Sequence, residues 1–341
     1  MKLHLRLISW IIFPLMLISC EDNKSSEVGC NSVYYWRTTF KLDNKERNFL
    51  RTNDIKRIYT RFFDVVVDES PIAIDVVVPN ATLQITDSFE VDEFIPVIYI
   101  TVDAIKEIKS EEAKWAEKIV GRIFNMCSYN NLGAPYGIQL DCDWTASTKT
   151  TFFNLCREVK KELRNRNSNA RLSATIRLHQ LSQNPPPVDY GVLMVYNTGS
   201  FMNPDESNSI LTVENVKPYV KHLADYPMRL EFAYPIFSWY LVYTQNRFSG
   251  IIGSDAILPD EILSPLDHNK FKVSKDTIIG NTYLSADDII RVEEVPFSTI
   301  KNVQKLVEAY SKYTHHSNIL YCLDSRNISN YTENEFNQIF D

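Results

Sequence analysis

The stretch YGIQLDCDWT, residues 136–145, alternates apolar and polar side chains and decides how the rest of the chain is interpreted. A period of two is typical of a β-strand, and it divides these residues between two faces. The two faces are Ile138, Leu140 and Cys142 against Gln139, Asp141 and Asp143. An ionised carboxylate is costly to bury unless it is paired, hydrogen-bonded or solvated. We therefore expect the two aspartates to face partners or an aqueous cleft.

Segments with strand and helix periodicity alternate on both sides of this stretch, which is typical of a parallel sheet with crossover helices. With the opening stretch as the fourth, the predicted strands are residues 33–40, 57–67, 94–101, 136–145, 171–181, 190–199, 228–237 and 318–324. Eight strands in this alternation predict an α/β fold of the (β/α)8 TIM barrel type. An open doubly wound sheet is the alternative, but the Gly-rich phosphate-binding turn expected near its first strand is missing from the sequence.

The pattern breaks between residues 238 and 296, where aromatics, glycines and short β-like runs predict an insertion after the seventh strand. At the other end of the chain, Lys2 and Arg6 precede an apolar run that stops at Leu17-Ile18-Ser19-Cys20, as in a signal peptide. The predicted organisation is a signal peptide at 1–19, a polar tether at 20–32, and one barrel domain at 33–341 with its insertion at about 238–296.

The end of the signal segment resembles a bacterial lipobox. This resemblance implies cleavage before Cys20, lipidation of that cysteine, and a bacterial cell-envelope protein anchored to a membrane, with the outer membrane favoured over the inner. An ordinary signal peptide or an uncleaved anchor that happens to contain cysteine is the alternative.

Charge and cysteine spacing exclude several classes of function. A net charge of -7 and a pI near 5.5 leave no basic footprint for nucleic acid. The cysteines form no CxxC pair, so a zinc site is not expected. Asp141, Asp143 and His179 could form a metal site, but the clustered second histidine typical of such sites is missing. We expect no cofactor, no metal and no nucleic-acid partner.

Strand parity gives the candidate polar interior of the barrel. On the fifth strand the apolar set leaves Arg177 and His179 pointing inward, and on the seventh it leaves Arg229 and Glu231 inward. For the second strand the parity is ambiguous between Arg61 and Asp64. A lattice of structural ion pairs among these residues is the alternative to a catalytic site.

Three of the candidates lie at or near the C-terminal ends of their strands, where barrel enzymes keep their active sites. They are Asp143, His179 and Asp324. Aromatic side chains are also frequent near these ends, and Trp144, Tyr196 and Trp239 are candidates for stacking on sugar rings. The alternative for these aromatics is a place in the core of the insertion.

The line GIQLDCDWT and the later YGVLMVYNTG together resemble exported glycoside-hydrolase-like TIM-barrel proteins, many of them lipoproteins. The alternating acids more distantly resemble chitinase-type glycosidases, whose fourth strand ends in a Glu that acts as general acid. Here Thr145 stands two residues after Asp143, in place of that Glu. The resemblance implies a barrel that acts on carbohydrate and supports the fold better than the activity.

Glycoside hydrolysis usually needs two carboxyl groups, one protonated and one ionised. The hypothesis is a glycoside hydrolase acting on an envelope or environmental polysaccharide. The candidate catalytic residues are Asp141, Asp143, Glu231 and Asp324, and the candidate substrate-binding residues are Arg177, His179, Trp144, Tyr196, Asn197 and Trp239. The alternative is a glycan-binding or envelope scaffold lipoprotein that keeps the barrel but not the acid, which the absence of Glu at 145 favours.

Overall fold

The structure is a computed structural model of the 341-residue chain and describes residues 29–70, 76–253, 256, 258–312 and 317–341. The predicted signal peptide, the proposed lipidation site at Cys20 and most of the predicted tether lie outside the described residues. Within them, no helix has both the length and the apolar character that a membrane crossing requires.

Eight parallel strands of the described chain close into a barrel. They are β1 (Ser32–Tyr35), β2 (Arg57–Val67), β3 (Glu93–Ile100), β4 (Gly137–Asp141), β5 (Arg171–Arg177), β6 (Tyr190–Met194), β7 (Leu230–Pro235) and β8 (Asn318–Tyr321). Each strand pairs with the next in sequence, and β1 pairs with both β2 and β8. The predicted (β/α)8 barrel is confirmed, and all C-terminal strand ends meet at one end, here called the mouth.

Helices cover the outside of the barrel. They are α1 (Asn44–Thr52), α2 (Val102–Ile108), α3 (Glu112–Tyr129), α4 (Lys149–Arg166), α5 (Val213–Val220), α6 (Phe297–Tyr310), α7 (Ser325–Ser329) and α8 (Glu333–Phe340). In α3 the buried residues Trp115, Ile119 and Ile123 recur every four positions, so one stripe faces the strands. A capping box fixes the start of α1, because Asp43 and Glu46 each accept from the other's backbone amide.

Most of the strands end earlier than predicted, and two of these ends change the interpretation of the site. β4 stops at Asp141 and β5 at Arg177, whereas the alternation of apolar and polar side chains continues into the following residues. Thr145 belongs to the turn before α4, where its amide donates to the hydroxyl of Thr148. Residues 178–182 form a 3-10 helix. Alternation beyond a strand end therefore says nothing about which way a side chain points.

The connection from β2 to β3 departs from the βα repeat, because its described residues contain no helix. Instead Val77–Asn80 pairs antiparallel with the end of β2, and Gln84–Ile85 pairs with the short strand Thr39–Phe40. One position of the helical layer is therefore filled by extended chain.

The insertion after β7 is built on an antiparallel sheet, which among the described residues has five strands in the order Arg247–Gly253, Trp239–Thr244, Ile289–Glu293, Lys270–Val273 and Leu263–Asp267. A separate hairpin joins Thr277–Ile279 to Thr282–Leu284. The sheet has a small core of its own that includes Val242, Val273 and Ile290. The insertion predicted after the seventh strand is confirmed.

Gly137 provides a test of the packing between β4 and β5. A Cβ at this position would lie 2.5 Å from the carbonyl oxygen of Arg171, its partner in the strand register. We predict that Gly137→Ala lowers the free energy of unfolding by about 1–3 kcal/mol, because backbone must shift to admit the methyl group. Urea denaturation measures the change. Gly133→Ala is the control, since a Cβ there meets nothing within 4 Å; equal midpoints for both variants would contradict the prediction.

Candidate functional site

Asp141 is the last residue of β4 and lies inside the barrel near the mouth. Its side chain is nearly inaccessible, and its Oδ1 accepts from the Thr175 hydroxyl at 2.6 Å and from Arg177 Nη2 at 3.2 Å. Burial raises the pKa of Asp141, with Asp143 adding to the rise, while Arg177 and the Thr175 hydrogen bond oppose it. β5 therefore supplies both hydrogen-bond donors to this carboxylate, and the surrounding protein shields it from solvent.

Asp143 lies beyond the strand end with 49% of its side chain exposed, and it also contacts Arg177. The Arg177 Nε donates to Asp143 Oδ1 while Nη2 donates to Asp141. One guanidinium thus connects the two acids of the sequence motif. Because Thr145 belongs to the next turn, Asp143 is the final acid that this strand brings to the mouth, and the missing Glu at 145 carries less weight than the sequence suggested.

The prediction that His179 points into the barrel is wrong. It belongs to the 3-10 helix Leu178–Ser182 and is exposed at the rim, since the strand alternation stops at Arg177. It nevertheless borders the same small cavity as Asp143 and Tyr196. Its position allows contact with a ligand from the edge of the mouth.

Glu231 is far from the predicted rim. It is the second residue of β7, so it lies toward the N-terminal end of the barrel, opposite the mouth. Its carboxylate accepts from Arg57 Nη1 at 3.1 Å, from Tyr59 at 2.9 Å and from Ser317 at 3.3 Å, and it is 5% exposed. The choice of Glu231 as a catalytic carboxylate is wrong, because this closed network gives it no access to a ligand.

Asp324 lies at the mouth, three residues beyond the end of β8, but its oxygens are engaged. It caps α7 by accepting from the amide of Arg326, and the Arg326 guanidinium donates to both oxygens at 2.9 Å. The residue borders a cavity together with Tyr321 and Trp239. These contacts indicate that Asp324 has a structural role at the rim of the barrel.

The three candidate aromatics have different environments. Trp144 is 1% exposed and packs edge-on against Phe153, so the prediction that it stacks on sugar is wrong: the turn after β4 folds it onto α4. Tyr196 is largely buried and stacks on Tyr321 with 4.7 Å between ring centroids. Trp239 is partly exposed, and its indole nitrogen donates to Glu293 at 2.7 Å, which fixes the ring at the rim.

Several residues of the mouth were missed by sequence reasoning. Tyr99, the penultimate residue of β3, and Tyr321, the last residue of β8, lie near the acids, although their runs look uniformly apolar. On β2 the pairing register shifts between Arg61 and Phe63, so both Arg61 and Asp64 face the interior and form an ion pair. This bulge explains why parity could not choose between them.

Two adjoining cavities occupy the mouth. One of about 300 Å³ is bordered by Asp143, Arg177, His179 and Tyr196, and one of about 400 Å³ by Trp36, Trp239, Tyr321 and Asp324. Both include Tyr196 and the exposed Asn197, whose backbone has a left-handed φ of 52°. The cavities thus form one cleft, called the mouth cleft, with a polar half and an aromatic half.

Among the described residues, no group of three or more His, Cys, Asp or Glu side chains is arranged to hold a metal ion. Asp141 and Asp143 contact the same arginine, Arg177, whose single positive charge offsets one of the two carboxylate charges when both acids are ionised.

Comparison with solved structures identifies the fold. The spore cortex-lytic enzyme SleL of Bacillus cereus superposes with a TM-score of 0.55 at 14% identity, over 92% of this chain and 74% of that one. A chitinase from Chromobacterium violaceum gives 0.53 at 11% identity, over 88% and 97%. The chain has the fold of chitinase-type TIM barrels. A GH18 chitinase from Cycas revoluta in complex with (GlcNAc)3 gives 0.50 at 11% identity, over 91% and 98%.

The resemblance drawn from the fourth strand is confirmed at the level of the fold, and identities this low carry it no further. No protein-family model matches the sequence, and no curated protein matches it.

The buried Asp141 gives a pH test of the site. Its raised pKa means that the folded state binds the proton more tightly than the unfolded state, so its contribution to stability is full at low pH and is lost as pH rises above about 3.8, the ordinary value, through the folded pKa. We predict that the free energy of unfolding of the wild type, relative to Asp141→Asn, falls as pH increases over this range. Urea titrations at several pH values measure it; a relative stability that rises with pH would contradict the assignment.

Proposed function

We propose that the protein binds carbohydrate in the mouth cleft and holds it without cleaving it. Small-molecule sites combine aromatic or apolar walls with a few polar groups that fix orientation. The mouth cleft has this composition, with Trp36, Trp239 and Tyr321 on one side and Arg177 and Asn197 on the other. Rings with one apolar face and projecting hydroxyl groups fit such a surface.

The observation that carries the proposal is the Arg177 bridge between Asp141 and Asp143. A glycosidase needs one carboxyl group that holds a proton and donates it to the leaving oxygen. Asp141, whose raised pKa favours the protonated form, is nearly inaccessible, and Arg177 occupies an oxygen of the more exposed Asp143. Two further acids near the mouth, Asp64 and Asp324, also face arginines. The mouth is therefore better equipped for hydrogen-bonding hydroxyl groups than for delivering a proton.

Hydrolysis at Asp143 is the second candidate function, and one observation favours it. Asp141 lies buried next to Asp143 and shares its arginine, so the pair sits at the strand end where barrel enzymes place their chemistry. In that case Arg177 would have to release Asp143 when substrate binds.

Trp239 tests the binding proposal. We predict that oligosaccharides such as (GlcNAc)3 and (GlcNAc)4, or another member of a glycan panel, bind the wild type. Trp239→Ala should weaken the Kd about tenfold, because a rim ring and its contact area are lost. Isothermal titration calorimetry measures both. Tyr310→Ala is the control, since Tyr310 is exposed on α6 and borders neither cavity of the mouth cleft.

Product analysis separates the two candidate functions. Reducing-end release from the bound glycan should equal the background for the wild type and for Asp143→Asn alike. Turnover that Asp143→Asn abolishes would establish the second candidate, whereas a panel without any bound glycan, or equal affinity in Trp239→Ala, would remove the mouth cleft as a carbohydrate site.

We also propose that the protein is anchored in a bacterial cell envelope by a lipid on Cys20. The support is the sequence pattern of the first twenty residues. Expression of the full chain in a bacterium fed an alkyne fatty acid should label the wild type and leave Cys20→Ala unlabelled. Label retained in Cys20→Ala would contradict the anchor, and the variant's unchanged glycan binding would show that the barrel itself is intact.

A further inference from the structure

A second cavity lies on the outside of the barrel, away from the mouth cleft. It has a volume of about 1000 Å³ and runs between α3 and the extended segment that replaces a helix after β2. This volume is at the upper end of the range for small-molecule sites. We call it the lateral groove. It exists because strands Val77–Asn80 and Gln84–Ile85 are thinner than the helix whose place they take.

The floor of the lateral groove is apolar. Phe63 and Val65 reach it from the outer face of β2, Leu83 from the extended segment, and Trp115 and Ile119 from the buried stripe of α3. Gly121 on α3 leaves open space, because a Cβ there would meet only the end of the Arg166 side chain at 3.7 Å. An apolar chain lying here would be removed from water along its length.

Cations border this apolar floor. The charged residues that line the groove are Lys114, Lys118, Arg122 and Arg166, against the single acid Glu117. The Lys118 ammonium lies 4.6 Å from the Trp115 ring centroid, and the Arg122 guanidinium lies 5.1 Å from that of Phe63. Such contacts keep the charges against the apolar surface.

Among these cations, Arg122 has a buried hydrogen-bond donor without a partner. Its Nη2 donates to the Thr82 hydroxyl at 2.9 Å, while its buried Nε has no hydrogen-bond partner. Among the described residues, neither Arg122 nor Lys118 forms an ion pair, whereas Lys114 and Arg166 are paired with Glu111 and Glu162. A partly buried guanidinium without a carboxylate is a good receptor for one, since its fork matches carboxylate geometry.

From this juxtaposition we infer that the lateral groove binds a long-chain carboxylate, with the acyl chain on the Phe63 and Ile119 floor and the carboxylate on Arg122. The inference is independent of the mouth cleft, because no residue lines both. The protein then has a lipid-type site on its side and a carbohydrate site at its mouth.

Laurate and dodecanol, used below their aggregation concentrations, test the inference on the full chain. Calorimetry should show laurate bound at least about tenfold more tightly than dodecanol, because only laurate forms charge-assisted hydrogen bonds. Arg122→Gln should remove this difference, and Arg247→Gln, a change on the insertion, should leave it. Gly121→Phe should abolish laurate binding by filling the groove, while Gly121→Ala should retain it.

Each opposite result overturns the inference. A wild type that does not bind laurate, or a Gly121→Phe variant that binds it as the wild type does, removes the groove as the site. Equal affinity for laurate and dodecanol, unchanged in Arg122→Gln, removes the carboxylate as the recognised group. Thermal unfolding of each variant, with Gly121→Ala as the reference, ensures that only folded protein is compared.

Discussion

The contact of Arg177 with both Asp141 and Asp143 is the interaction on which the mouth of this barrel depends. Without it, the buried Asp141 and the half-exposed Asp143 would be two close acids with no cation between them, which disfavours ionisation of both. β5 supplies the arginine because it is the neighbour of β4 and runs two residues further, so that the register pairing Leu140 with Ala174 brings Arg177 level with Asp143. The same contact that makes the acids compatible with the fold limits the chemistry they can do.

Charge pairing of this kind extends through the barrel interior. At the opposite end Arg57 holds Glu231, with Tyr59 and Ser317 completing its hydrogen bonds. Buried pairs contribute little net stability, but removing one partner is strongly destabilising. The polar residues inside the barrel therefore divide by depth: those near the N-terminal ends serve the structure, and those at the mouth are also available to a ligand.

The sequence was sufficient for the fold because the apolar faces of strands such as residues 171–177 repeat with a clear period. It was insufficient for the site for three physical reasons. Periodicity continued past a real strand end, which misplaced His179, and Trp144 was chosen for following a strand end although the next turn buries it. Parity gives the face of a residue but not its depth, which misplaced Glu231. Tyr99 and Tyr321 were missed because their strands are apolar runs in which no alternating polar residues indicate a site.

A crystal structure of the protein with a bound oligosaccharide tests the central claim most directly. We predict an intact glycan in the mouth cleft, lying between Trp239 and Asn197, with Arg177 still bound to both Asp141 and Asp143. A cleaved sugar with Arg177 displaced from Asp143 would contradict it, and so would a glycan bound outside the mouth.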